Sequence, residues 1–184
     1  REHGAQGVGA AVPHHADAEV PPAPPHLGVV GGVEGPHAGR ADYRETTMPA
    51  TSPALRYGFE RTLTTASFDD VIARVTAALS AEGFGVLTDI DVAATLRKKL
   101  DVPFRRYRIL GACNPALAHR VLGAEPQAGL LLPCNVVVQD APTGGVTVSI
   151  IDAKAMFTFV DNPAVAPIAA DVDARLRRVM ESLG

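Results

Sequence analysis

Ile109-Leu110-Gly111-Ala112-Cys113-Asn114-Pro115 carries an apolar run straight into a helix start. The run ends a strand predicted over residues 104–112. Asn114 offers a side chain that can cap orphan backbone N–H groups, and Pro115 supplies a pre-set φ at the first helical position. The helix they open should reach about Leu122, with Gly123 as its stop. A strand passing directly into a helix points to helices layered on a sheet, and the flanking sequence repeats the theme.

Upstream, Tyr57, Phe59 and Leu63 alternate through a strand over residues 56–63. Ser67-Phe68-Asp69-Asp70 resembles a capping box and opens a helix with Phe68, Val71, Ile72, Val75, Ala78 and Leu79 on one stripe, ended by Gly83. Residues 84–90 form a second strand, after which Asp91 caps a short helix aligning Val92, Leu96 and Leu100. Downstream, residues 130–139 and 145–152 form a hairpin joined through residues 140–144. In its second strand Val146, Val148 and Ile150 alternate with Thr147 and Ser149. Asn162-Pro163 starts a last helix with the stripe Val165, Ile168, Ala169, Val172, Leu176, Val179, Met180 and Leu183. The predicted order is β-α-β-α-β-α-β-β-α, giving a single α/β (α+β) domain over residues 56–184: one mixed sheet covered by helices.

The chain before this domain differs in kind. Of 184 residues, the first 47 hold eight of the 17 glycines, six of the 15 prolines and five of the six histidines, with Leu27 as their single leucine and no Ile or Phe. Such a segment cannot bury enough apolar area to offset chain entropy, so residues 1–48 are expected to be a disordered tail. Met48-Pro49-Ala50 has the form of a natural start, and the tail is expected to come from an upstream frame rather than native coding sequence. Its histidines (His3, His14, His15, His26, His37) are irregularly spaced, without accompanying thiols, and are not expected to form a metal tract. The tail carries three basic and six acidic residues, which is the whole net charge of −3, so the rest of the chain is neutral. That balance argues against nucleic acid as a partner and permits self-association. No apolar run approaches the roughly 20 residues of a membrane-spanning helix, so no membrane partner is expected.

Tyr57-Gly58, Glu82-Gly83-Phe84-Gly85-Val86, the Ile109–Pro115 run, and Leu131-Leu132-Pro133-Cys134-Asn135-Val136 occur in that order. In these motifs the sequence resembles the family called domain of unknown function 302, from about Tyr57 to Leu183. The resemblance implies a small α/β domain that forms homodimers in the prokaryotic cytoplasm, and it implies no reaction.

Three groups of residues could carry chemistry. The first is the pair of Cys-Asn steps, Cys113-Asn114 and Cys134-Asn135, with His119 further along the same helix. A cysteine facing a helix N-terminus is biased toward thiolate. Cys113 and Cys134 are expected to share one side of the sheet beside the Asn114 helix, with reduced thiols. With His119 they could make a nucleophile and its base, or a partial metal site. Their 21-residue spacing matches no zinc motif, and both also suit small buried hydrophobes. The second group is the basic cluster Arg97, Lys98, Lys99, Arg105, Arg106 and Arg108, in which Arg106 or Arg108 beside the Asn114 helix start would hold a small anionic ligand. The plainer role of Arg97–Lys99 is to complement a helix C-terminus. The third is Asp89 and Asp91, which share a strand face and could act as an acid–base pair or bind a cation; capping and solvation are their plainer roles.

No Ser-His-Asp order, HExxH or phosphate loop is present, and the residues name no cofactor and no reaction. The leading expectation is a homodimeric ligand-binding or stress-related module with its pocket at the Cys-Asn steps. A redox protein or enzyme using Cys113, and an interaction domain without a small-molecule site, are the alternatives.

Overall fold

A computed structural model describes residues 55–184. The expectations for the tail, the start at Met48 and the five histidines lie outside these residues. Five strands and their helices follow in the order β1 (Gly58–Leu63), α1 (Phe68–Ala81), β2 (Gly85–Asp91), α2 (Val92–Leu100), β3 (Tyr107–Cys113), α3 (Pro115–Ala124), β4 (Cys134–Asp140), β5 (Val146–Ile151), α4 (Ala153–Met156) and α5 (Ala166–Ser182). Short 3₁₀ turns over Pro126–Leu131 and Phe157–Phe159 join them.

The sheet order is β1-β5-β4-β3-β2, and every neighbouring pair is antiparallel. The expected mixed sheet is therefore corrected. β2–α2–β3 and β3–α3–β4 each return the chain beside the strand just left, while α1 carries it across to the far edge. No strand lies beside a parallel neighbour, because the single long crossover ends four places away.

Alternation sorts the side chains into two unlike faces. Leu110 and Ala112 of β3, Val136 and Val138 of β4, and Val146, Val148 and Ile150 of β5 are buried in one core. Against them pack Phe68, Val71, Val75 and Leu79 of α1, Leu117 and Val121 of α3, and all eight residues of the predicted C-terminal stripe. The other face bears rows fixed by register. One row runs Glu60, Ser149, Val137, Ile109, Ile90 across all five strands, and the next runs Thr62, Thr147, Gln139, Tyr107. None of the apolar residues on these two rows is fully buried, and Ile90 is 46% exposed. Among the described residues, the helices that make the core leave this face bare.

Boundaries moved where backbone donors are missing or partners run out. Residues 130–133, expected in a strand, belong to the turn begun by Pro126 and to the approach through Pro133. Residues 104–106 precede β3, since β2 ends opposite Arg108. Asn162 accepts from Ala164 N at 3.0 Å and donates to the Ala124 carbonyl at 2.9 Å, so it shapes a turn and α5 begins only at Ala166. α3 runs through Gly123 to Ala124, so Gly123 is helical rather than a stop. α2 is capped by Asp91 as expected but buries none of its residues.

Candidate functional site

The two Cys-Asn steps lie side by side on β3 and β4. Cys134 stands opposite Ala112 and shares its buried face, so alternation puts Cys113, one residue on, on the other face. The expected placement of both thiols on one side of the sheet is thus corrected, although they are near enough for charge on Cys113 to oppose ionisation of Cys134. Burial raises the Cys113 thiol above its ordinary range, against the expected bias toward thiolate. Burial, with Cys113 next, pushes Cys134 up to about 12. Both cysteines are free.

The asparagines have separate tasks. Asn114 caps α3, its Oδ1 accepting from Leu117 N at 3.2 Å, while its amide donates to the Glu82 carbonyl at 3.4 Å. Gly83, at φ +82°, leaves the space that this amide occupies: a Cβ there would stand 2.9 Å from Asn114 Nδ2. Asn135 is exposed on the bare face beside Gly111, its register partner. A Cβ on Gly111 would collide with the Thr88 hydroxyl and the Pro133 ring. The motif residues that stand far apart in sequence thus interlock: Glu82-Gly83 receives Asn114, and Gly111 receives Pro133. His119 lies on the exposed side of α3. No group of three His, Cys, Asp or Glu side chains among the described residues is placed to hold a metal ion, which lends no support to a metal centre of Cys113, Cys134 and His119.

Arg106 and Arg108 sit at the opposite end of β3 from Asn114, which corrects their expected place beside that helix start. Arg106 donates to both oxygens of Asp140, at 2.9 and 2.8 Å, and lies 4.7 Å from the Phe68 ring centroid. Arg108 makes the same two-pronged contact with Asp89. Each carboxylate raises the pKa of its arginine. An anion arriving here would have to displace a bidentate carboxylate, and Asp69 and Asp91 add further negative charge nearby. The acid–base reading of Asp89 and Asp91 meets the same obstacle. Asp89 is held by Arg108, and Asp91 Oδ1 accepts from Ala94 N at 2.8 Å as the α2 cap.

Concave surface gathers at this end of the sheet. A shallow cleft of about 360 Å³ is lined by Ser67, Phe68, Arg106, Asp140 and Gly145, and a smaller one of about 170 Å³ adjoins it at Phe68 and Arg106. Of the basic cluster, Arg97 pairs with Asp101 at 3.4 Å across one helical turn, and Lys98 and Lys99 are exposed in the last turn of α2. Arg105, which sequence reasoning did not separate from its neighbours, stands apart. Its guanidinium lies 4.8 Å from the Phe104 ring centroid and 5.7 Å from that of Tyr107, and its Nε donates to Gln139 at 3.0 Å.

No helix among the described residues is long and apolar enough to cross a membrane. No curated protein matches the sequence. The chain is similar to a solved structure, an uncharacterized conserved DUF302 protein from Bacillus stearothermophilus, at 29% identity and a TM-score of 0.64; the match covers 70% of this chain and 98% of that one. A family model, domain of unknown function DUF302, matches residues 59–183. That span holds the whole helix-covered core together with the interlocked Gly83, Gly111, Asn114 and Pro133, and the chain belongs to the DUF302 family.

Proposed function

We propose that the domain works by binding rather than by thiol chemistry, and that it does so as a homodimer joined through the bare face of its sheet. The observation that carries this is the row Val137, Ile109, Ile90, which puts three branched apolar side chains side by side on adjacent strands, none of them fully buried. An antiparallel sheet facing water usually presents alternating polar residues there. A central apolar row bordered by Ser149, Gln139 and Asn135 has the composition of an association surface. Zero net charge from Pro49 onward leaves no electrostatic barrier between two copies.

Thiol catalysis gains no support from the geometry. A nucleophilic cysteine needs a depressed pKa or an adjacent base, whereas both thiols are raised and His119 is exposed on α3. Light scattering on the full chain at tens of micromolar should report a dimer. Ile109→Lys, which places a charge in the middle of the row, should give a monomer with unchanged far-ultraviolet circular dichroism. A wild-type monomer, or an Ile109→Lys variant that stays dimeric, would remove this surface from the proposal.

A further inference from the structure

Three arginines within four positions meet two different fates. Arg106 is neutralised by Asp140 and Arg108 by Asp89. Arg105 has no carboxylate within ion-pair distance among the described residues; its one hydrogen bond goes to the neutral side-chain amide of Gln139. It is nevertheless held in place. The Phe104 and Tyr107 rings, 5.9 Å apart and inclined at 57°, both lie within cation–π range of the guanidinium. Gln139 occupies Nε. The two Nη groups make no hydrogen bond within the described residues, and they form the end of the fork that suits two oxygens of one anion.

We propose that Arg105, with Phe104, Tyr107 and Gln139, is an oxyanion-binding site for a carboxylate or phosphate carried on an apolar, planar body. No carboxylate among the described residues pairs this charge, so an incoming oxyanion need displace none of them, unlike at Arg106 or Arg108. The guanidinium is already immobilised, so binding costs little further side-chain entropy. Phe104 is 42% exposed and offers apolar surface next to the fork for the rest of the ligand. Phe104 and Arg105 precede β3, and Tyr107 and Gln139 form its first paired row, so the site lies at the rim of the bare face and not across its central row. It goes beyond the self-association proposed above and does not depend on it.

The experiment is an NMR titration of the full chain at constant ionic strength, following the arginine Nε–Hε and aromatic ring signals. Benzoate and phenyl phosphate are the probes, with acetate and inorganic phosphate as probes lacking the planar body. Saturable shifts at Arg105, Phe104 and Tyr107 are expected with at least one aromatic probe, and the probe that binds names the carboxylate or the phosphate class. Arg105→Lys keeps a charge but loses the fork and should weaken binding about tenfold. Arg105→Gln should abolish it, and Gln139→Leu, which frees Nε, should weaken it with the charge intact. Arg106→Gln should bind like wild type. Shifts that do not saturate, or equal affinity in Arg105→Gln, overturn the site. Binding that persists in monomeric Ile109→Lys upholds the site without the dimer, whereas a dimer that binds no probe upholds the dimer alone.

Discussion

Cys134 shows what a single buried residue does to the chemistry of this domain. Its thiol faces the core opposite Ala112, where a thiolate would lose its hydration without gaining a cation. The fold therefore keeps it protonated to about 12, against a usual value of 9.0. The folded state holds this proton more tightly than the unfolded chain. Its contribution to stability is thus complete below about pH 9 and is lost as pH rises from there toward 12. Over that interval unfolding should become easier by at most about 1.4 kcal/mol per pH unit. Cys134→Ala should remove this alkaline limb while leaving the shape of the stability curve below pH 9 unchanged, as urea melts across the range would show. The same burial should make Cys134 react with a disulfide reagent far more slowly than a free thiol at neutral pH. Rapid labelling of native Cys134 would contradict the packing described here.

Among the elements, two glycines separate the demands of strand and helix. Gly111 sits in β3 beneath the Thr88 hydroxyl and the Pro133 ring, and an added methyl has nowhere to go. Gly111→Ala should cost about 1–3 kcal/mol through forced repacking. Gly123 lies inside α3 with no atom within 4 Å of an added Cβ, and Gly123→Ala should stabilise by up to about 1 kcal/mol through helix propensity. Chemical denaturation of both variants checks the pair, and equal signs would refute it. These elements also show what the sequence could convey. The stripes of α1 and α5 were legible because a 3.6-residue period is local, and the Asp91 and Asn114 caps because their signal spans three residues. Strand pairing was not legible, because it joins residues far apart. Nothing near β1 says that its neighbour is β5, so the sheet looked mixed. The same limit governed the site. The basic cluster was visible, but whether each arginine is free depends on Asp140, Asp89 and Gln139, which stand 34, 19 and 34 residues away. The Cys-Asn steps suggested a shared pocket because the alternation that turns their thiols to opposite faces follows only from register.

At the scale of the whole molecule, one ionic network binds the end of the sheet to the last helix. Asp173 on α5 is 1% exposed and accepts from Arg177, one turn further on, at 2.9 and 3.3 Å. Lys154 of α4 approaches it at 3.5 Å. Arg177 also reaches Asp152, the α4 cap, at 3.1 Å, and its guanidinium lies 4.6 Å from the Phe59 ring on β1. Three elements from both ends of the domain thus meet around one buried carboxylate. The partners differ in what they leave behind when removed. Arg177→Met strands the buried Asp173 charge with Lys154 alone, and an uncompensated buried charge costs about 3–5 kcal/mol. Asp173→Asn leaves Arg177 half exposed, free to turn to water and still paired with Asp152, so the loss should be nearer 1–2 kcal/mol. The double variant Asp173→Leu/Arg177→Met should recover much of the larger loss, since apolar side chains of similar volume can replace a buried pair. Urea unfolding of the three variants reads all three values. If Asp173→Asn proved the more damaging single change, Arg177 rather than Asp173 would be the charge that the fold cannot leave alone, and Phe59 with Asp152 would be its true anchors.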